Sequence, residues 1–204
     1  MVKLAHSMLA FPLLAPMLLA TACKPPPTDA DMLREMPETA PTFASAPLPS
    51  PETEGALWAL SSRSDNRIIY GVPGEPVLLA LECQDAGDSG EPAITVTRYA
   101  PADERAGALL AFVGNDHIGR IAVDATELGQ ETFWQGHLGA LDDAWEPLAG
   151  PDELTATVPG AGMVKLNPSP LPGLLIAACR AGISIEEAAR AAAEEAEEDA
   201  SPAS

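Results

Sequence analysis

Basic residues are scarce in this chain: 11 Lys and Arg stand against 30 Asp and Glu, a formal charge of −19 over 204 residues. Such an excess repels phosphodiesters and anionic headgroups, which excludes nucleic acid as a partner and makes a cationic protein or peptide the expected charged one. Aromatic residues are equally thin, at 4%, so a core must rest on Leu, Ile, Val and Ala. Three cysteines and three histidines occur, with no C-x-x-C and no H-E-x-x-H, so no recognisable metal-ligand spacing exists and no metal or other cofactor is expected. G-x-S-x-G and a glycine-rich phosphate loop are both missing, which removes the α/β-hydrolase elbow and the nucleotide cradle. The apolar stretch 8–20 has 13 residues, broken by Pro12 and Pro16, too short for the roughly 20 that span a bilayer as a helix.

What is present begins at the N-terminus, where Lys3 precedes that apolar stretch and Ala20-Thr21-Ala22-Cys23 closes it. This pattern resembles the type II signal peptide of bacterial lipoproteins, with Ala20 at the family's usual Leu position and Leu19 one step earlier. The resemblance covers residues 1–23. It implies removal of 1–22, a diacylglyceryl thioether on Cys23 and an acylated amine. Several acyl chains, at about 0.8 kcal/mol per buried CH₂, hold a protein on a membrane durably. Ala20 and Ala22 also satisfy the A-x-A rule of ordinary secretory cleavage at the same bond, which would leave Cys23 unlipidated. Both routes export the chain. Lys24 in place of Asp after the Cys resembles the sorting pattern for the outer membrane, so the expected address is the bacterial cell envelope, facing the periplasm.

Residues 23–56 carry Pro25, Pro26, Pro27, Pro37, Pro41, Pro47, Pro49 and Pro51 among Ala, Thr and Ser. Proline at this density favours extended polyproline II at about 3.1 Å per residue, so the segment reads as an unpacked tether. Residues 57–180 are the size of one domain and hold 17 acidic against 7 basic residues, a net −10. In an oxidising compartment Cys83 and Cys179 are expected to pair, closing a loop worth about 4 to 5 kcal/mol in the chain-entropy model.

From position 57 the segments are short, rich in β-branched residues and punctuated by Gly, Pro, Asp and Asn. That is the pattern of an all-β fold, an antiparallel β-sandwich or small barrel of about eight to ten strands. Strands are expected at 57–62, 67–71, 77–83, 93–99, 109–113, 120–123, 132–138, 154–158, 163–166 and 174–179, the last a short apolar run that also suits the start of a helix. In the fourth, Ile94, Val96 and Arg98 alternate with Thr95, Thr97 and Tyr99, predicting one buried and one wet face. The stretches 64–66 and 85–90 supply hairpin turns. Over 181–204 a short helix and acidic tail are expected, with Ser184 and Glu187 as a capping box and Ile185, Ala188, Ala189 and Ala192 at helical spacing.

Chemistry-bearing constellations are sparse. His117 and His137, with Asp116, Asp142 and Asp143 near them, have the residue types of a small metal-dependent hydrolase but not the spacing. Asp85, Asp88 and Glu91 would offer oxygen ligands to calcium, without EF-hand order. The stretch Phe133-Trp134-Gln135-Gly136, followed by Gly139-Ala140-Leu141 and Cys179, resembles membrane-bound C-type lysozyme inhibitors. That resemblance implies an eight-stranded barrel with a disulfide, and a basic enzyme as target. The chain departs from that family in the F-W-x-x-G spacing and lacks its Ser-Ala-Ser-Gly loop, so no inhibitory residue transfers. Of Phe133 and Trp134, adjacent on a strand, one is expected in the core. The reading that collects these features is a non-catalytic, lipid-anchored binding or structural module of the envelope. Its candidate binding surface is Trp134, His137, Asp142, Asp143 and Trp145.

Overall fold

In the computed structural model, residues 46–85 and 90–200 are described. Nine strands form one sheet: β1 (Leu57–Leu60), β2 (Arg67–Gly71), β3 (Leu79–Gln84), β4 (Ala93–Pro101), β5 (Gly107–Gly114), β6 (His117–Leu128), β7 (Glu131–Gly139), β8 (Leu154–Thr157) and β9 (Met163–Leu166). The order is β1-β2-β3-β4-β7-β6-β5-β8-β9 and every pairing is antiparallel. The sheet curls into a nearly closed barrel, all-β as the sequence predicts and one strand richer than the lysozyme-inhibitor resemblance implies.

Nine of the ten expected strand positions carry strands. The tenth is a correction: 174–179 lies inside helix α2 (Leu171–Ala181). An apolar run of six residues suits either state, and here the flanks decide. Pro172 enters the first turn, where its missing N–H is harmless. Gly182 ends the helix in the left-handed region at φ 66°, its N–H shared between Ala178 and Cys179 carbonyls. The buried face, Pro172, Leu175, Ile176 and Cys179, has helical spacing. Ahead of it a 3₁₀ turn, Asp143–Trp145, leads into the single turn α1 (Glu146–Ala149). After it comes α3 (Ile185–Ala200), where Ser184 Oγ accepts the Glu187 N–H at 3.2 Å.

The helices close one barrel end. The disulfide joins Cys83 of β3 to Cys179 of α2, 96 positions apart with Cα atoms 5.6 Å apart, so it staples a strand to a helix rather than two strands. Arg180, next in the chain, donates to the Ala140 carbonyl and pairs with Glu146, both at 2.9 Å. Trp145 is fully buried, with its indole N–H on the Gly139 carbonyl at 3.0 Å.

At the other end one cross-strand row, Trp58-Tyr70-Leu79-Arg98-Trp134, faces inward. All five are buried, and the Trp58 and Tyr70 rings lie 5.1 Å apart. The seam between β1 and β9 has no ladder. It is crossed instead by the Tyr70 hydroxyl, which donates to the Lys165 carbonyl at 2.9 Å and accepts the Asn167 N–H at 3.1 Å. Asn167 Nδ2 donates to the Thr53 and Ala56 carbonyls. The Leu48 N–H reaches Gly160 O at 2.8 Å, and Ser50 Oγ accepts the Met163 N–H at 3.0 Å. Residues within 48–56, expected as part of the tether, thus bond to the seam; most of their side chains are exposed and Ala56 is buried. Prolines suit them to this, since an extended strap making few main-chain bonds loses little by lacking N–H groups.

Two outcomes follow. Reducing the disulfide, or replacing both cysteines by Ser, is expected to lower unfolding free energy by about 2 to 5 kcal/mol in urea titrations, because a loop of this length constrains the unfolded chain. Tyr70→Phe is expected to cost about 1 to 2 kcal/mol at neutral pH through the two lost seam bonds. Burial raises the Tyr70 hydroxyl above its usual 10.0. Above that pH the unfolded chain gives up the proton and the folded one keeps it, so wild-type stability falls and its margin over Tyr70→Phe narrows. Melting curves between neutral pH and pH 11 check this.

Candidate functional site

The outer face of β2, β3, β4 and β7 carries a groove of about 1120 Å³. It is built from the residues that alternate with the core. On β4, inward Ile94, Val96 and Arg98 are buried, as expected, but outward Thr95 and Thr97 are also buried, at 8% and 2% exposure. The expected wet face is instead a covered floor. The β1–β2 connection at Ser61, Ser62 and Arg63 walls one side, and the β6–β7 hairpin at Leu128, Gly129 and Glu131 the other.

The floor is tied into two networks. Arg67 of β2 donates to Glu82 Oε2 at 2.7 Å and to the Tyr99 hydroxyl at 2.5 Å, linking β2, β3 and β4. Gln135 of β7 donates to Thr97 Oγ1 at 3.0 Å. Tyr99 and Phe133 stand edge to face, with centroids 5.1 Å apart, a geometry favoured by the ring quadrupoles.

A local irregularity produces that aromatic pair. Arg98 lies opposite Trp134 and Pro101 opposite Phe133, so Tyr99 and Ala100 are extra residues on β4. A bulge of this kind re-aims the side chains around it. Pro101 donates no ladder hydrogen bond, which suits it to such a break. Gly136 is required for a related reason: a Cβ there would sit 2.1 Å from the Ala122 carbonyl, where β6 crosses closely.

Comparison of the chain with models of protein families, with curated proteins and with solved structures finds no match. The site's meaning therefore rests on its own chemistry.

The structure disperses the surface expected from sequence. Trp134, 6% exposed, points into the barrel, and Trp145 is fully buried beneath α1, so neither indole is a surface platform; Phe133 is the outward member of its pair. His137, Asp142 and Asp143 are exposed. Asp142 caps the 3₁₀ turn, its carboxylate accepting the Ala144 N–H at 2.9 Å. Asp116 sits with Asn115 in the β5–β6 turn, both at positive φ, which is turn chemistry. His117 begins β6 and His137 lies near the end of β7. The β6–β7 ladder ends at the Asp124–Gln135 pair, so the two histidines lie on stretches of β6 and β7 that do not pair with each other. Among the described residues no group of three His, Cys, Asp or Glu is arranged to hold a metal. Asp88 of the calcium reading lies outside the described residues.

Sequence reasoning missed Arg67, Glu82, Thr97, Tyr99, Phe133 and Gln135. They come from four strands and share nothing in spacing. The one available signal was strand parity: once Trp134 is inward, Phe133 and Gln135 must face out together.

Arg98 is the remaining unusual group. At 3% exposure it donates to the carbonyls of Leu78 and Tyr99 through Nη1, at 3.0 and 3.2 Å, and of Ala161 through Nη2, at 3.1 Å. Desolvation lowers its pKa to about 10, leaving it cationic at neutral pH. Its Nε and the adjacent Trp134 Nε1 meet no acceptor among the described residues.

Replacing Arg67 by Met is expected to destabilise the fold by about 1 to 2 kcal/mol, since two bonds of one charged group are lost. Combined with Glu82→Gln in a double-mutant cycle, the partly exposed pair should couple by about 0.5 to 1 kcal/mol. Urea denaturation of the four proteins measures both.

Proposed function

We propose that the chain is a non-catalytic binding module of the bacterial cell envelope, held to the membrane by an acylated Cys23 and recognising its partner through the groove on the outer face of β2, β3, β4 and β7. The observation that carries the recognition half is the state of the groove's polar side chains. Arg67, Glu82, Tyr99, Thr97 and Gln135 are bonded to one another, so the surface is pre-organised and loses little side-chain entropy when a partner arrives. Among the described residues no histidine lines the groove: His117 begins β6, and His137, on the outward side of β7, lies two positions beyond Gln135. A rigid array of engaged donors and acceptors suits recognition better than turnover.

The anchoring half is supported by the Ala20-Thr21-Ala22-Cys23 pattern and the proline-rich stretch behind it. Among the described residues no helix is long and apolar enough to cross a membrane, and an acyl anchor needs none. Cys23 and the proline-rich residues 24–45 lie outside the described residues.

Intact-mass measurement and fractionation test the anchor together. The wild-type protein is expected in the membrane fraction with diacylglyceryl and acyl mass on Cys23. Cys23→Ser is expected in the soluble fraction or retained unprocessed. Wild type recovered soluble and unmodified would remove the anchor, leaving plain secretion.

A further inference from the structure

We infer that the groove takes a neutral, polyhydroxylated ligand, a short length of saccharide; this rests on the binding-module reading above and names the class of molecule bound. Three independent properties of the groove point there.

Charge is the first. Arg63 and Arg67 balance Glu82 and Glu131 around the groove, in a chain whose total is −19. A cation would meet two guanidinium groups and an anion two carboxylates. A neutral ligand meets a balanced field, with little steering and little repulsion.

Hydrogen-bond valence is the second. The Tyr99 hydroxyl accepts from Arg67 and keeps its own proton to donate. Gln135 spends an amide N–H on Thr97 Oγ1, which lies covered in the floor, and retains its carbonyl for a ligand. Glu82 binds Arg67 through one oxygen and presents the other. Donors and acceptors thus alternate over a few ångströms, which matches hydroxyl groups, each of them both donor and acceptor. An extended peptide is a poorer fit. It gains affinity by adding a strand to a free edge, and β2, β3, β4 and β7 are all flanked on both sides within the sheet.

The third is the aromatic pair. Phe133 and Tyr99 offer apolar ring surface at one end of the polar floor. The C–H face of a pyranose is apolar and weakly positive and complements the negative face of an aromatic ring. A wholly apolar ligand would strand the polar floor without partners.

Isothermal titration of the full chain, purified in a phosphocholine detergent free of sugar headgroups, tests this. The probes are the β-1,4-linked N-acetylglucosamine tetramer, cellotetraose and maltotetraose, with poly-L-lysine and polygalacturonate as charged comparators. At least one neutral tetramer is expected to saturate with Kd between about 10 µM and 1 mM, with little change on added salt. Phe133→Ala and Gln135→Ala are each expected to weaken it about three-fold to ten-fold. Glu186→Gln, exposed on α3 and outside the groove, should leave it unchanged. Phe133→Leu and Tyr99→Phe, which keep bulk, guard against a variant that fails to fold, and near-ultraviolet circular dichroism monitors each one. No saturable binding of any neutral tetramer at about 10 mM, or binding unmoved by every groove substitution, overturns the inference. Poly-L-lysine binding without saccharide binding overturns it while leaving the binding-module reading intact; binding of no probe brings down both.

Discussion

A guanidinium held inside a barrel, without a carboxylate beside it, is the constraint around which this fold is arranged. Arg98 lies at the centre of the row Trp58-Tyr70-Leu79-Arg98-Trp134 and bonds three carbonyls, one at the start of β3, one on β4 and one in the β8–β9 turn. An ion moved from water to such a place costs several kcal/mol, and three carbonyl dipoles recover part of that. The Ala161 bond does something a hydrophobic residue at this position would not. It joins the middle of the sheet to the β8–β9 hairpin at its far edge, across the barrel mouth. With Tyr70 and Asn167 crossing the seam nearby, it draws an open nine-stranded sheet almost shut without a final ladder.

The groove on the opposite face depends on this. Because Arg98 must face inward, its neighbours Thr97 and Tyr99 face outward, and the two extra residues before Pro101 aim Tyr99 toward Phe133. The same strand therefore serves the core with one parity of its residues and the candidate site with the other. At the far barrel end the disulfide and Arg180 lock α2 to β3, to the end of β7 and to α1. The sheet is held at both ends, and its outer face is stiff. Stiffness matters for a shallow polar site, because a ligand that gains only a few modest hydrogen bonds cannot also order the surface it binds.

Much of the fold was legible. Period-2 alternation and regular Gly, Pro, Asp and Asn punctuation marked nine strands, and the exported-cysteine argument paired Cys83 with Cys179. By hydrophobicity the run Leu174-Leu175-Ile176-Ala177-Ala178-Cys179 suits a strand or a helix. Carried back to Pro172, the buried positions fall three and four apart, and Gly182 is a helix stop. Proline density in 48–56 shows a lack of main-chain donors, but not that this segment's remaining groups bond to the β8–β9 turn, β9 and Asn167. Of the candidate site almost nothing was legible. Trp134 and Trp145, expected at the surface, are buried, because which parity of β7 and which side of the 3₁₀ turn face the core is set by packing.

By itself, the sequence determined what is local: strand periodicity, turn chemistry, the helix cap at Ser184, the oxidised cysteine pair and the acidic, aromatic-poor character of the domain. The cysteine pair follows from there being just two cysteines beyond Cys23; each of the others is a property of residues a few positions apart or of bulk composition, and needs no knowledge of the neighbours in space. Only the tertiary structure decided which strands lie side by side, that β4 pairs with β7 rather than β5, and therefore that Arg67, Glu82, Tyr99, Thr97, Gln135 and Phe133 form one surface. The reason is that a groove on a sheet is made across strands, perpendicular to the chain. Register between segments as far apart as 67 and 135 is set by how the whole core packs, and it leaves no trace in either segment alone.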